Sequence, residues 1–409
     1  MSRRELSPRG MLFILTGLNL FNYLDRFVLP AVLTRLRGDL GLNGDQAGTL
    51  ATAFLAGYFV TSPFFGYLGD RWPRKWLIAA GIFVWSIGTV MTGFAHSYGE
   101  MLAWRALVGV GEASYATISP GLISDIFPAS RRNNALTFFY VAIPVGAALG
   151  NILGGWVAAH WTWRDAFLWA GAPGLMLALV LLPFAEPRRG GSDAGAPEPS
   201  KPRARDVLKL FTLPSYLLVV LGYTAYTFAQ GGFAHWAPAY LEEVHGVPTD
   251  SAGLFFGATL VFSGLVGTLI GGYAATAWQR RHPSGYALTM GLSVLISVPL
   301  AFAAFHTPDR TLCMVALGAC MFFTFISTGP TNTLILETVP VNLRASAMAM
   351  SIFMIHLFGD LWSPKLVGRI ADVSGLGHAV LILPGALLVA AIFWLVLAGR
   401  TARNRIQPG

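Results

Sequence analysis

The chain has 409 residues, 54% of them hydrophobic and only 12% charged, with a net charge of +8 and a mean hydropathy of +0.58. Soluble domains carry about a quarter charged residues, so this polar fraction cannot clothe a water-facing globule, and lipid must solvate much of the surface. That excludes a soluble enzyme, and it moves the positive charge from a nucleic-acid footprint to a membrane topology signal.

A membrane-spanning helix needs about 20 mainly apolar residues, and about twelve such stretches fit. The first ten residues, MSRRELSPRG, are basic, but no small-residue cleavage site follows the apolar run, so the first span is expected to be retained. Six spans are expected at 11–36, 46–69, 75–95, 98–127, 133–159 and 164–184. The stretch from Glu186 to Asp206 (EPRRGGSDAGAPEPSKPRARD) is rich in proline, glycine and charge, cannot lie in hydrocarbon, and reads as a flexible linker. Six further spans are expected at 213–241, 250–277, 285–305, 310–338, 344–370 and 377–399. The expected fold is all-α and polytopic, with two six-helix bundles over 1–185 and 212–409 joined by a cytoplasmic linker over 186–211.

Cations set the expected orientation. Arg3, Arg4, Arg9, Arg71, Arg74, Lys75, Arg131, Arg132, the linker cluster, Arg280, Arg281, Arg344, Arg400, Arg403 and Arg405 fall on one side, against Arg35, Arg37, Arg164, Arg310 and Arg369 on the other. The positive-inside rule places both termini in the cytoplasm. The two halves also echo each other. Asp125-Ile-Phe-Pro128 with Arg132 after the fourth span matches Glu337-Thr-Val-Pro340 with Arg344 after the tenth, and Gly66 to Lys75 has a degraded copy in Gly272 to Arg281. Parallel repeats of this kind are the plan of major facilitator transporters. Cys313 and Cys320 stand seven residues apart on one expected helix, roughly 10 Å between alpha carbons, too far to bridge. They read as packing residues.

An ionisable group at membrane depth costs about 2.5–3.5 kcal/mol, so it faces a partner or a wet cavity. Asp25 and Arg26 are adjacent, point about 100° apart on a helix, and cannot both satisfy each other. Asp25 is the expected proton-coupling acid; a static ion pair is the alternative. Arg105 and Glu112 lie seven apart on one helical face, with Gly109 and Gly111 between them to admit a neighbouring helix or a substrate. Arg105 keeps its proton and serves as an anion anchor or an electrostatic tuner. Glu112 can answer Arg105, pair with Arg26, or take a proton; a purely structural bridge is the alternative. His356 and Asp360 touch at i, i+4 and read as gating or polar lining, too few ligands for a metal site. His235 beside Trp236 and Pro238 lines a cavity or packs. Gly146, Gly150 and Gly154 mark a close helix contact. The many Phe, Tyr and Trp residues read as mostly lipid-facing or core, with no cage among them.

Gly66-Tyr-Leu-Gly-Asp70-Arg71-Trp-Pro-Arg74-Lys75 resembles the loop between the second and third helices of the major facilitator superfamily, with Pro73 where many members have glycine. Arg105-Ala-Leu-Val-Gly109-Val-Gly111-Glu112-Ala113 resembles the fourth-helix motif of its proton-coupled members. Within the superfamily the chain resembles the spinster family of lipid transporters. The resemblance lies in Asn22-Tyr-Leu-Asp25-Arg26, Gly109-Val-Gly-Glu112-Ala-Ser-Tyr115 with Ile118-Ser-Pro120, and His356-Leu-Phe-Gly-Asp360-Leu-Trp-Ser363-Pro364. It implies proton-linked movement of lysolipids or sphingoid phosphates. Asp25 and Glu112 are then expected to couple protons. Arg26, Arg105, Asn22, Tyr23, Tyr115, His235 and His356 are expected to meet substrate, and Asp70, Arg71, Arg74 and Asp360 to gate.

The expected protein is therefore a multi-pass, monomeric secondary carrier in the inner (plasma) membrane. Its expected partners are the lipid bilayer, a small amphipathic anion and protons; nucleic acid, metal and any cofactor beyond the proton gradient are not expected. A drug or organic-anion antiporter, a membrane-embedded lipid-modifying enzyme and a lipid-binding sensor are the alternatives.

Overall fold

The computed structural model describes residues 6–42, 44–192, 203–247 and 249–406; Arg3 and Arg4 of the topology argument lie outside them, as does the side chain of Arg405. The described residues form helices throughout. In chain order they are α1 (Pro8–Leu40), α2 (Gly44–Arg71), α3 (Arg74–Gly93), α4 (Tyr98–Ile126), α5 (Ala129–Tyr140), α6 (Ala142–His160) and α7 (Trp163–Leu177). After the short α8 (Ala204–Leu208) come α9 (Pro214–His245), α10 (Thr249–Phe262), α11 (Thr268–Arg281), α12 (Gly285–His306), α13 (Arg310–Phe325) and α14 (Thr328–Glu337). The last four are α15 (Arg344–Ile355), α16 (Ser363–Ser374), α17 (Leu376–Ala379) and α18 (Ile382–Ile406).

Local chemistry explains most boundaries. Ser7 caps α1 by accepting from the Gly10 amide, Pro8 occupies the first turn, and Gly41 ends the helix at φ 62°. Thr162 and Asp165 form a reciprocal capping box at the start of α7. Pro73 precedes α3 at φ −60°, so the turn does not require the glycine found in many relatives of its loop.

Several expected single spans are interrupted, three of them just upstream of a proline. Pro144 cannot donate to the Tyr140 carbonyl, and α5 hands over to α6 at Val141. Pro330 has the same relation to Ile326, between α13 and α14, and Pro364 to Asp360, where a π-turn over His356–Asp360 separates α15 from α16. A second π-turn, Ser263–Gly267, joins α10 to α11. The sixth expected span is cut short: α7 stops at Leu177, and the chain continues through i→i+3 turns to Phe184.

Among the described residues, ten helical stretches are long and apolar enough to cross a membrane. The ten leave out α7, which has 15 residues, and α4, which is rich in Gly and Ser and carries Arg105, Glu112 and Asp125. Large apolar side chains such as Phe13, Phe83, Ile152, Val315 and Ile392 face outward, while Asn19, Asp25, Arg105 and Glu112 are buried. That inversion of the soluble pattern is what a lipid solvent selects.

The chain forms two compact units. Unit 1 comprises 1–129, 138–207 and 340–353; unit 2 comprises 130–137, 208–339 and 354–409. In unit 1, Gly146 and Gly150 of α6 bring α1 close: a Cβ on Gly146 would lie 2.6 Å from the Leu20 carbonyl oxygen. Tyr240, Trp394 and Tyr226 tie unit 2 together through hydroxyl or indole bonds to the carbonyls of Phe305, Val219 and Thr324. Cys313 and Cys320 are both buried and free, as packing residues should be.

Candidate functional site: a buried charge cluster in unit 1

The adjacent pair on α1 diverges as its helical geometry requires. Arg26 turns to α4, where Nε and Nη2 donate to Glu112 Oε2 at 3.1 and 2.5 Å. Asp25 turns to α3, where its Oδ2 accepts from the Thr89 hydroxyl at 2.6 Å. Arg105 lies within electrostatic reach of Asp25, Glu112 and Arg26. Asp25, Arg105 and Glu112 are at most 2% exposed. The four charged groups therefore share one interior region of unit 1.

Two features let so much charge sit inside a helical bundle. The first is aromatic: the Arg26 guanidinium lies 4.7 Å from the Tyr23 ring centroid, 4.8 Å from Phe54 and 5.1 Å from Tyr58, and Arg105 lies 5.0 Å from Phe54. Cation–π contact replaces part of the lost hydration and carries most weight when desolvated. This cluster of rings around Arg26 lies outside the sequence reading of the aromatics as mostly lipid-facing or core, with no cage among them. The second feature is glycine. A Cβ on Gly109 would lie 2.8 Å from the Tyr58 amide of α2, and one on Gly111 would lie 2.6 Å from the Gly81 carbonyl oxygen of α3. Both admit neighbouring helices, which brings Phe54, Tyr58 and Thr89 up to the charges.

The cluster is incompletely satisfied. Asp25 Oδ1 and Arg105 Nε have no hydrogen-bond partner, while Asn22 lies within hydrogen-bonding reach of Glu112. Buried polar atoms are rarely left so, and two of them in one region are open to a further hydrogen-bond partner. Tyr115 stands apart from this. It is fully buried, its ring packs against Trp85 and Phe139, and its hydroxyl donates to the Leu15 carbonyl.

Three of the four expected gating residues, Asp70, Arg71 and Arg74, lie at the end of unit 1 where α2, α4 and α15 meet, whereas Asp360 belongs to unit 2. Asp70 accepts from the Ala345 and Ser346 amides at 3.0 and 2.7 Å, the free donors of the first turn of α15. Arg74 pairs with Asp125, whose other oxygen accepts from Arg344 at 2.9 Å and from the Gly190 amide at 3.0 Å. Glu186, in the expected linker, accepts from the Arg74 amide at 3.0 Å. Arg71 instead donates to Tyr67 of its own helix. Neither Asp125 nor Arg344 was assigned a functional role from sequence, although the repeated acid-proline-arginine pattern had picked both out.

In unit 2, His356 Nδ1 contacts both Asp360 oxygens at 3.0 Å, within the π-turn. Gly231 of α9 makes room for Asp360, since a Cβ there would lie 2.6 Å from the Asp360 Cβ. His235 is exposed on α9 and packs edge-on against Trp236 at 5.1 Å. Thr89, Phe54 and Tyr58 are the site neighbours missed from sequence, because a threonine or an aromatic in an apolar span carries no signal of its own.

The family model described as Major Facilitator Superfamily matches residues 15–364. Protein spinster of Drosophila melanogaster is 34% identical over 388 residues, 91% of this chain and 64% of that protein. The chain thus spans just under two thirds of that relative's length. Protein spinster homolog 1 of Mus musculus is 35% identical over 88% of this chain and 72% of its own. Among solved structures, a bacterial homologue of the human lysosomal transporter Spinster, inward-facing and unoccupied, superposes with a TM-score of 0.68 at 24% identity, over 97% of this chain and 98% of that one. The Escherichia coli fucose:proton symporter superposes with a TM-score of 0.78 at 17% identity, over 96% and 99%. At such identities both likenesses speak to the fold.

Proposed function

Since the chain belongs to the spinster family of the major facilitator superfamily, and is a transporter and not an enzyme, we propose that it couples protons to the movement of an amphipathic, lipid-like anion. The cargo class is a lysophospholipid or sphingoid phosphate. On this reading about twelve helices form two six-helix bundles, joined by the 186–211 linker, that alternate access to a midplane site. The carrier lies in the plasma membrane with both termini cytoplasmic, as the cation distribution favours.

The observation that carries the proposal is the buried cluster of Asp25, Arg26, Arg105 and Glu112 with its unsatisfied polar atoms. With both acids and both arginines ionised, the cluster is neutral. A proton on either acid leaves one uncompensated positive charge in a medium of low dielectric, and an anionic headgroup is what would neutralise it. Arginine suits a phosphate by its planar donor fork.

Reconstitution into proteoliposomes with an imposed pH gradient and a panel of labelled lipids tests this. Gradient-dependent flux of a lysolipid is expected from the wild type, and Asp25→Asn is expected to lose the pH dependence. No gradient-dependent flux for any lipid would remove the proposed function. Competition by small organic anions but not by lysolipids would transfer it to an organic-anion carrier.

A further inference from the structure

Several buried hydroxyls on these helices follow one habit. The hydroxyls of Ser62, Thr92, Thr289 and Thr331 each donate to the backbone carbonyl four residues earlier, the usual way for a helical Ser or Thr to hide its donor from lipid. Thr89 departs from it. Its hydroxyl leaves its own helix and donates to Asp25 Oδ2 of α1 at 2.6 Å, though the residue is only 1% exposed. The other substituent is held as well: Gly171 of α7 gives it room, and a Cβ there would lie 3.0 Å from the Thr89 methyl. The rotamer is thus fixed from both sides, methyl toward α7 and hydroxyl toward Asp25.

We propose that Thr89 is the positioning residue for Asp25, holding its carboxylate toward α3 and stabilising the ionised form by hydrogen bonding. The inference rests on the proposed proton-coupling role of Asp25 and adds a residue on a third helix to it. The charged and titratable groups facing Asp25 are Arg26 from α1 itself, with Arg105 and Glu112 from α4; α3 supplies only the neutral Thr89. Both arginines are engaged elsewhere as well, Arg26 with Glu112 and its aromatic box, Arg105 with Phe54. Thr89 is therefore the one hydrogen-bond donor observed on the Asp25 carboxylate among the described residues, Oδ1 having none. When Asp25 takes a proton, a carboxyl oxygen becomes a donor itself and the Thr89 bond loses its charge assistance. Proton uptake is then felt directly at the α1–α3 contact.

The sign of the effect follows. A donor to the carboxylate favours the charged form, so removing it makes Asp25 hold its proton to higher pH. Thr89→Val keeps the shape and deletes the hydroxyl; Thr89→Ser keeps the hydroxyl. Infrared titration of the purified protein, with the Asp25 carboxyl band assigned by difference from Asp25→Asn, reads the midpoint without any transport. An alkaline shift of about one pH unit is expected for Thr89→Val, with Thr89→Ser close to wild type. In proteoliposomes the pH profile of flux should shift the same way, and Thr89→Val should add nothing in the Asp25→Asn background. Coincident infrared midpoints for Thr89→Val and wild type would overturn the inference, whatever the flux does. A shifted infrared midpoint with pH-independent flux would uphold the Thr89–Asp25 interaction and remove the coupling role of Asp25.

Discussion

Arg26 and Glu112 illustrate how much a single helical angle decides. The 100° between consecutive residues already required Asp25 and Arg26 to find different partners, and pairing of Glu112 with Arg26 was one of three options open from sequence. The structure selects it, with 0% exposure for the Glu112 side chain and 20% for that of Arg26. Truncating one member of such a pair leaves an uncompensated buried charge. Glu112→Ala is therefore expected to cost about 3–5 kcal/mol, seen as a lower unfolding temperature in detergent. Replacing both, Arg26→Met with Glu112→Leu, should recover most of that stability while abolishing transport; a double variant as unstable as the single one would contradict this account. Outside the membrane the arithmetic differs. Asp39 accepts from Arg164 at 2.5 Å and from Trp163 at 3.1 Å, and these bonds hold its carboxyl below the usual carboxylate range. A depressed carboxyl stabilises the fold above its ordinary range, and the contribution fades only as pH falls through the folded value. Asp39→Asn should thus lower the unfolding temperature equally at pH 7 and pH 5, with the difference closing below about pH 4.

At the scale of helices, apolar runs set the spans and were readable, whereas the interruptions within them depend on what packs alongside. Prolines 144, 330 and 364 each precede or follow a break, yet Pro30, Pro63, Pro120 and Pro299 sit inside continuous helices. A proline alone does not say which will happen. Glycine spacing was more informative. In α6, Gly150 lies so close to α1 that a Cβ would overlap the Leu24 carbonyl oxygen, while a Cβ on Gly155, five residues on, would meet nothing within 4 Å. Gly150→Ala should therefore force the helices apart and cost about 1–3 kcal/mol. Gly155→Ala should be neutral or gain up to about 1 kcal/mol from helix propensity. Equal unfolding temperatures for the two variants would mean that α1 and α6 can separate without penalty.

The repeated acid-proline-arginine pattern was visible in the sequence, but not the way each copy is used. Asp125 takes the arginine of the later copy, Arg344, and Glu337 takes that of the earlier copy, Arg132, at 3.4 Å. The second repeated motif behaves alike: Asp70 holds the Ala345 and Ser346 amides in unit 1, while Thr276, at the matching place in the degraded copy, accepts from Asn133 at 2.9 Å and donates to Asn134 at 2.6 Å in unit 2. Such exchange leaves no trace in local composition, because it depends on partners about two hundred positions away. Its consequence is that neither compact unit is encoded by one half of the chain: unit 1 borrows 340–353, and unit 2 borrows 130–137. A fragment ending at residue 192 would carry Asp70 and Asp125 without α15, and a fragment starting at 203 would carry Glu337, Thr276 and Thr333 without Arg132 and Asn133, which Thr333 contacts at 2.8 Å. Each alone would expose buried polar groups stripped of their partners, at about 1–3 kcal/mol apiece. Expressed separately, the two fragments should be degraded or purify as aggregates; coexpressed, an affinity tag on the first should retrieve the second in a monodisperse complex. Stable, monodisperse accumulation of either fragment alone would mean that the exchanged segments are dispensable to the units they complete.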